Sequence, residues 1–269
     1  MTDTISSPPA ARLRVRRIPS VRSLLLTGCI LAALTPFAAA AQQATSAPGD
    51  KVILLINPNS NDKTTATMTE IAATATEGVA VEGKSNVGVP PLLTTPKDLA
   101  DAVPGVVKIG VDGAADDRVG AIIVAAFGDP GLDELRSSVD LPVFGIREQS
   151  FREAAKGGRP FGIATTTPDP GLLESFRQTA VALGYGDQFR GTRATPGDPN
   201  ELMKKSADEL DAALAEAVRA SMADGAEAVI IGGGPLTASA LRLQPQFDIP
   251  LVVPVIAAAQ AAAQAVRGQ

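Results

Sequence analysis

Short apolar runs, about the length of a strand and too short for a helix, recur along this chain and alternate with segments of helical period. Val52–Ile56, Ala121–Ala126, Pro142–Ile146, Phe161–Ala164, Ala228–Ile231 and Leu251–Val255 contain no charged residue and read as strands, with Val79–Val81 a further short one. Between them, Asn61–Thr76, Leu132–Ser138, Gln149–Lys156 and Gly171–Leu183 read as helices, and Pro96–Arg118 as a helix broken by Pro104 and Gly110. The clearest helical face is expected over Glu201–Ala223, where Met203, Ala207, Leu210, Leu214 and Ser221 fall in register; Asp224-Gly225 then ends it as a C-terminal glycine does. An alanine-rich helix closes the chain. Strands apolar on both sides must be covered on both faces. The pattern therefore predicts an α/β fold with parallel sheet flanked by helices.

The first 41 residues read differently. Arg12, Arg14, Arg16, Arg17 and Arg22 precede an apolar stretch from Leu24 to Phe37, and Ala38–Ala41 follows. Basic, apolar and small-residue regions in that order predict an export signal cleaved near Ala41. The rival reading is a membrane anchor, but the stretch falls short of the roughly 20 residues a span needs. Arg16-Arg17 offers a twin-arginine reading and Leu26-Thr27-Gly28-Cys29 a lipoprotein reading; the residues around each favour an ordinary signal. Residues 42–50 are small and polar and predict a flexible leader. The expected location is periplasmic or secreted, with no membrane association after cleavage.

Cys29 is the sole cysteine and the chain has no histidine. A protein cut at residue 41 would have no thiol to oxidise, which suits an oxidising compartment. Five of the 24 basic residues and one of the 29 acidic ones lie in the first 41, so the remainder carries a net charge of −9. That balance argues against a nucleic-acid partner. Residues 51–269 suffice for one large α/β domain or two small lobes.

Four of the expected strands end in polar or glycine-rich turns: Asn57-Pro58-Asn59-Ser60, Phe127-Gly128-Asp129-Pro130-Gly131, Thr165-Thr166-Thr167-Pro168 and Gly232-Gly233-Gly234-Pro235. Ligands of open α/β sheets bind outside the carboxyl ends of strands. Each turn is expected to lead into a helix and to offer backbone N–H groups and a favourable dipole to an anion. The four together predict one crevice for a ligand bearing a carboxylate or carbonyl. Singly, each is also ordinary turn or capping chemistry. No GxGxxG or Walker spacing accompanies the glycines.

These turns, with Ala102-Val-Pro-Gly-Val106, Asp116 to Gly131, Pro142-Val-Phe-Gly-Ile146 followed by Glu148, and Gly225 to Pro235, resemble the aspartate/glutamate/hydantoin racemase superfamily, most closely its hydantoin and allantoin racemase branch. Ala-Phe-Gly-Asp-Pro-Gly-Leu over 126–132 is the most specific stretch. The resemblance implies two similar α/β lobes, each a parallel sheet flanked by helices, with the site in the cleft between them. The lobes would span roughly 51–145 plus the C-terminal end, and 146–232. It implies an amino-acid, hydantoin, ureide or small carboxylate ligand, no metal or organic cofactor, and a homo-oligomer. It also implies ligand-binding roles for Asn57, Asn59, Ser60, Phe127, Gly128, Thr165, Thr166, Gly233 and Gly234.

The resemblance places Ala126 and Gly233 where such racemases carry two cysteines. One thiolate there removes the α-proton from one face and the second thiol returns a proton to the other. Ala126 and Gly233 can do neither, so two-thiol racemisation is not available. Asp129 and Glu148 are the remaining carboxylates near strand ends, and a carboxylate with a raised pKa can act as a base. Their bland reading is capping and structural hydrogen bonding. Two functional classes follow: an exported isomerase using groups other than cysteine, and an extracytoplasmic binding protein that keeps the cleft without its chemistry.

Overall fold

A computed structural model describes residues 51–269; the expected signal and leader lie outside them. Two parallel sheets of four strands form the frame. The first comprises β1 (Val52–Asn57), β2 (Ala80–Ser85), β3 (Val119–Val124) and β4 (Val143–Gly145), in the order β2-β1-β3-β4. The second comprises β5 (Phe161–Thr165), β6 (Phe189–Ala194), β7 (Ala228–Ile231) and β8 (Leu251–Val252), in the order β6-β5-β7-β8. Both therefore wind in the same way, with the first strand of each at an inner position. Central strands β1, β3, β5 and β7 are buried throughout, as their uncharged sequences require.

Two of the four edge strands, β2 and β6, depart from the sequence pattern, while β4 and β8, covered by helices, keep it. β2 begins at Ala80 and runs through Glu82 and Lys84, and β6, Phe-Arg-Gly-Thr-Arg-Ala, has no apolar run at all. These two strands are exposed or only half-buried, so nothing selects the apolar pattern that reveals a central one. The second sheet also continues past residue 232, because Leu251 and Val252 pair with β7.

Nine helices cover the sheets among the described residues. α1 (Asp62–Ala73) follows β1, and α2 (Pro96–Ala114) follows β2. α2 is continuous, in contrast to the break expected at Pro104 and Gly110. An interior proline costs about 3 kcal/mol. Here a Thr95–Asp98 capping box starts the helix, and Ala102 and Val106 are buried on either side of the proline. α3 (Leu132–Ser138) and α4 (Ile146–Ala154) complete the first half, and α5 (Pro170–Ala182) follows β5.

The single helix expected over 201–223 is two, α6 (Pro199–Leu202) and α7 (Ala207–Ala223). The break has a local cause. Ser206 caps α7 by accepting from the Glu209 N–H, and the Glu209 side chain returns the bond to Ser206. α8 (Thr237–Leu243) precedes β8, and α9 (Pro254–Arg267) returns to pack on β3, β4, α4 and α1. Ala258, Ala259, Ala262 and Ala263 of α9 are fully buried in a core that takes in Ile53 and Ile123 of the first sheet and Val229 and Ile231 of the second. Small side chains let that helix sit close to its neighbours.

Candidate functional site

The carboxyl ends of β1, β3, β5 and β7 meet at one cavity of about 70 Å³. Asn59 reaches it from the first turn, Ala126, Phe127 and Gly128 from the second, Thr166 from the third, and Gly233 and Gly234 from the fourth. Seven of the expected positions are thus brought together. Asn57, Ser60 and Thr165 do not line it.

Their places explain why. Asn57 is fully buried and holds the first turn closed: its Nδ2 donates to Asn59 Oδ1 at 2.8 Å and to Thr65 Oγ1 at 2.9 Å. Asn61, not Ser60, caps α1 by accepting from the Thr64 N–H. Thr165 Oγ1 donates to the Gly232 carbonyl at 2.7 Å and so ties the third turn to the fourth. Asn86 braces the first turn from outside, donating its N–H to the carbonyls of Asn57 and Asn59 and its Nδ2 to that of Ala102.

Glycine is required where the two sheets' turns approach each other. A Cβ on Gly234 would stand 3.0 Å from the Ala125 carbonyl oxygen and 2.8 Å from Met68 Sδ, and one on Gly232 would stand 2.8 Å from the Phe127 ring. The turn after β3 and the turn after β7 are therefore in contact, and Ala126 and Gly233 face one cavity from opposite sheets.

The backbone N–H groups of Ala126, Phe127, Gly128, Thr166 and Gly233 donate to no acceptor among the described residues. Asn59 Nδ2 makes no hydrogen bond among the described residues either, since both partners of this side chain, Asn57 Nδ2 and the Asn61 N–H, are met through Oδ1. The rest of the wall is apolar: Leu92, Leu93 and Leu99 on one side, Leu172 and Phe176 of α5 on another, and Met203 with Leu236 closing it. No side chain lining the cavity is ionisable.

Asp129 and Glu148 lie outside that lining. Asp129 is buried and turned toward α4, where its carboxylate accepts the N–H of Arg147 at 3.0 Å and of Glu148 at 2.9 Å. It adopts φ 47°, and Gly145 opposite has no room for a Cβ because the Asp129 carboxyl carbon would be 2.4 Å away. Burial pushes its pKa up to about 6, against the nearby Arg147 guanidinium and the two amides. Glu148 is gripped by Arg136 and Arg152 at 2.7 and 2.8 Å. Although partial burial opposes it, those two arginines hold the Glu148 carboxyl below its ordinary value. Among the described residues no three His, Cys, Asp or Glu side chains converge as a metal site.

A second space of about 400 Å³ adjoins the first and shares Leu92, Met203, Gly234 and Pro235 with it. Its outer wall is polar, with Asn61, Lys63 and Thr64 from α1 and Asn200 and Lys204 from around α6. The break between α6 and α7 is what brings Met203 and Lys204 to these spaces.

Residues 53–262 match the Asp/Glu/Hydantoin racemase family. A hydantoin racemase from Rhizobium meliloti is 30% identical over 216 residues, 78% of this chain and 86% of that protein. A hydantoin racemase from Pseudomonas sp. (strain NS671) is 28% identical over 211 residues, 76% of this chain and 82% of that protein. Among solved structures, an allantoin racemase from Klebsiella pneumoniae superposes with a TM-score of 0.73 at 26% identity, over 80% of this chain and 86% of that one. The chain belongs to the Asp/Glu/hydantoin racemase family.

Proposed function

We propose that this racemase-family chain is an exported protein that binds a small hydantoin, ureide or amino-acid-like carboxylate in the inter-sheet cavity, and that it does not racemise that ligand by a two-thiol route. The observation that carries the reading is the composition of the wall. Five unpaired backbone N–H groups and Asn59 offer donors to a carbonyl or carboxylate, while no lining side chain can take up or release a proton near neutral pH. Proton abstraction at carbon needs such a group within hydrogen-bond reach of the α-proton. Residues 51–269 hold neither thiol nor imidazole. Asp129, the carboxylate with the raised pKa, is engaged by the first-turn amides of α4, and Glu148 by two arginines. Apolar leucine and phenylalanine walls suit the carbon skeleton of such a ligand, and the arginine-rich, then apolar, then alanine-rich N-terminus supports export.

Proton NMR in D2O tests this directly. The purified protein is mixed with aspartate, glutamate, allantoin and 5-substituted hydantoins, with heat-killed protein as background. The expected result is saturable broadening of one class of compound and no loss of its α-proton signal above background. Exchange of the α-proton by the unaltered chain would overturn the reading. A variant carrying both Ala126→Cys and Gly233→Cys is expected to gain exchange, provided Leu236, 3.2 Å from the new Cβ at position 233, yields by a few tenths of an ångström and the turn relaxes from φ 159°, which a residue with a Cβ rarely adopts.

A further inference from the structure

The outer groove differs from the cavity it adjoins. Two lysines line it, Lys63 from α1 and Lys204 from the α6–α7 connection, and no carboxylate does. That is unexpected for a chain whose residues 51–269 hold 27 acidic and 19 basic side chains. The two cations come from the two halves of the molecule, one following β1 and the other following β6. Neutral donors stand beside them: Asn61 caps α1 through Oδ1, leaving its Nδ2 unengaged, and Thr64 is in the same wall. Lys204 is paired with Glu201 at 2.7 Å, but both side chains are about 70% exposed. Exposed pairs of this kind are worth little and exchange readily for another anion. A concave surface of one sign concentrates ligands of the other.

We infer that this groove is an anion subsite, and that the ligand of the inner cavity carries a carboxylate distal to its head group that lies between Lys63 and Lys204. The inference rests on the ligand-binding reading of the inner cavity. The shared wall of Leu92, Met203, Gly234 and Pro235 makes the two spaces one continuous path, so a single molecule spans both. The head of the ligand meets the strand-end amides, its carbon chain passes Leu92 and Met203, and its charged end stops at the lysines.

The test compares two nearly isosteric probes, hydantoin-5-propionic acid and its primary amide, by calorimetric or NMR titration against the full chain. The acid is expected to bind roughly tenfold more tightly than the amide at low salt, the effect of two exposed charge contacts. The preference should shrink as salt is raised, vanish in the Lys63→Gln/Lys204→Gln protein, and survive in Lys63→Arg/Lys204→Arg. Both positions are on the surface, so unchanged thermal midpoints are expected for both variants. Equal binding of acid and amide to the unaltered protein would overturn the anion subsite while leaving the inner-cavity reading standing. A preference that persists in the glutamine variant would overturn the assignment to these lysines. Failure of either probe, and of every simpler hydantoin, to bind would overturn the cavity reading and this inference with it.

Discussion

The two sheets share a strand order but fill the space beside them by opposite means. Outside the first sheet the core is wholly aliphatic: Val52, Leu54 and Ile56 of β1 and Ile122 and Val124 of β3 pack against Val106 of α2 and Leu135 of α3. The helices come close because they are notched, with Leu54 reaching into the place of a side chain at Gly113 and Leu135 into that at Gly110. Beside the second sheet the filling is aromatic. Phe127, Phe151, Phe161 and Phe176 are buried together, with Tyr185 and Phe189 at the margin. Phe151 meets Phe161 edge-on at 5.4 Å, and Phe127 meets Phe176 at 5.0 Å. A narrow gap is closed by removing Cβ atoms and a wide one by adding rings. The second solution also serves the site, since Phe127 and Phe176 line the cavity and bear on the same stack.

Truncating the centre of the stack is the largest way to break this contrast. Phe161 is fully buried and meets Phe151, Phe189 and Tyr185. Phe161→Ala is expected to cost about 3–5 kcal/mol in urea unfolding, and to weaken ligand binding as Phe127 loses its support. A loss below about 1 kcal/mol, within the range of a surface change, would show that the rings do not fill the second half as described.

The turns after β3 and β7 differ as well, in charge. The β3 turn buries Asp129, whereas the β7 turn buries Gly232, Gly234 and Leu236, none of them ionisable. Because burial raises the Asp129 pKa to about 6, the folded protein keeps a proton there between its ordinary value near 4 and about 6, where the unfolded chain has lost it. Stability from this group is therefore full at low pH and falls as pH rises through that window, by about 3 kcal/mol. Glu148 and Asp211, whose pKa values are lowered, contribute in the opposite sense at lower pH. The difference in unfolding free energy between the unaltered protein and Asp129→Asn isolates the first effect. It is expected to shrink from pH 4 to pH 7. A flat difference would mean that the two α4 amides hold the carboxylate ionised despite its burial.

What could be read beforehand follows from the same physics. Central strands were legible because both faces are buried and no charge survives there. β6 was not, and β2 only at its first residues, since an edge strand such as Phe-Arg-Gly-Thr-Arg-Ala meets water. The turns of the site were legible because a backbone that must present N–H groups at a strand end draws on Asn, Thr, Gly and Pro. Its walls were hidden. Leu92 and Leu93 sit in an irregular loop after two prolines, where no period marks them, and Met203, which the helical period assigned to the face of one long helix, ends the short α6 beside the cavity instead. Asp129 was placed in the correct turn, but only the three-dimensional path of α4 shows its carboxylate committed to the Arg147 and Glu148 amides. Lys63 and Lys204 are far apart in the chain and ordinary as residues; only their sharing of one groove distinguishes them.

The notch at Gly110 allows the finest test of how the first half is packed. A Cβ there would lie 2.5 Å from both methyl groups of Leu135. Alanine is also a better helix former than glycine by about 1 kcal/mol, so two effects oppose each other in Gly110→Ala. Overpacking a tight core costs about 1–3 kcal/mol, and the net expectation is a loss of about 1 kcal/mol in the unfolding free energy read from urea titration. The sign of the packing term is separable. In a Leu135→Ala background the obstructing methyls are gone, so the same glycine replacement should no longer destabilise and should recover part of what Leu135→Ala lost. A double-mutant cycle reads this coupling as a departure from additivity. If Gly110→Ala has the same effect in both backgrounds, the glycine serves the helix backbone and not the close approach of α2 to α3, and the contrast between a notched half and a ring-filled half loses its first term.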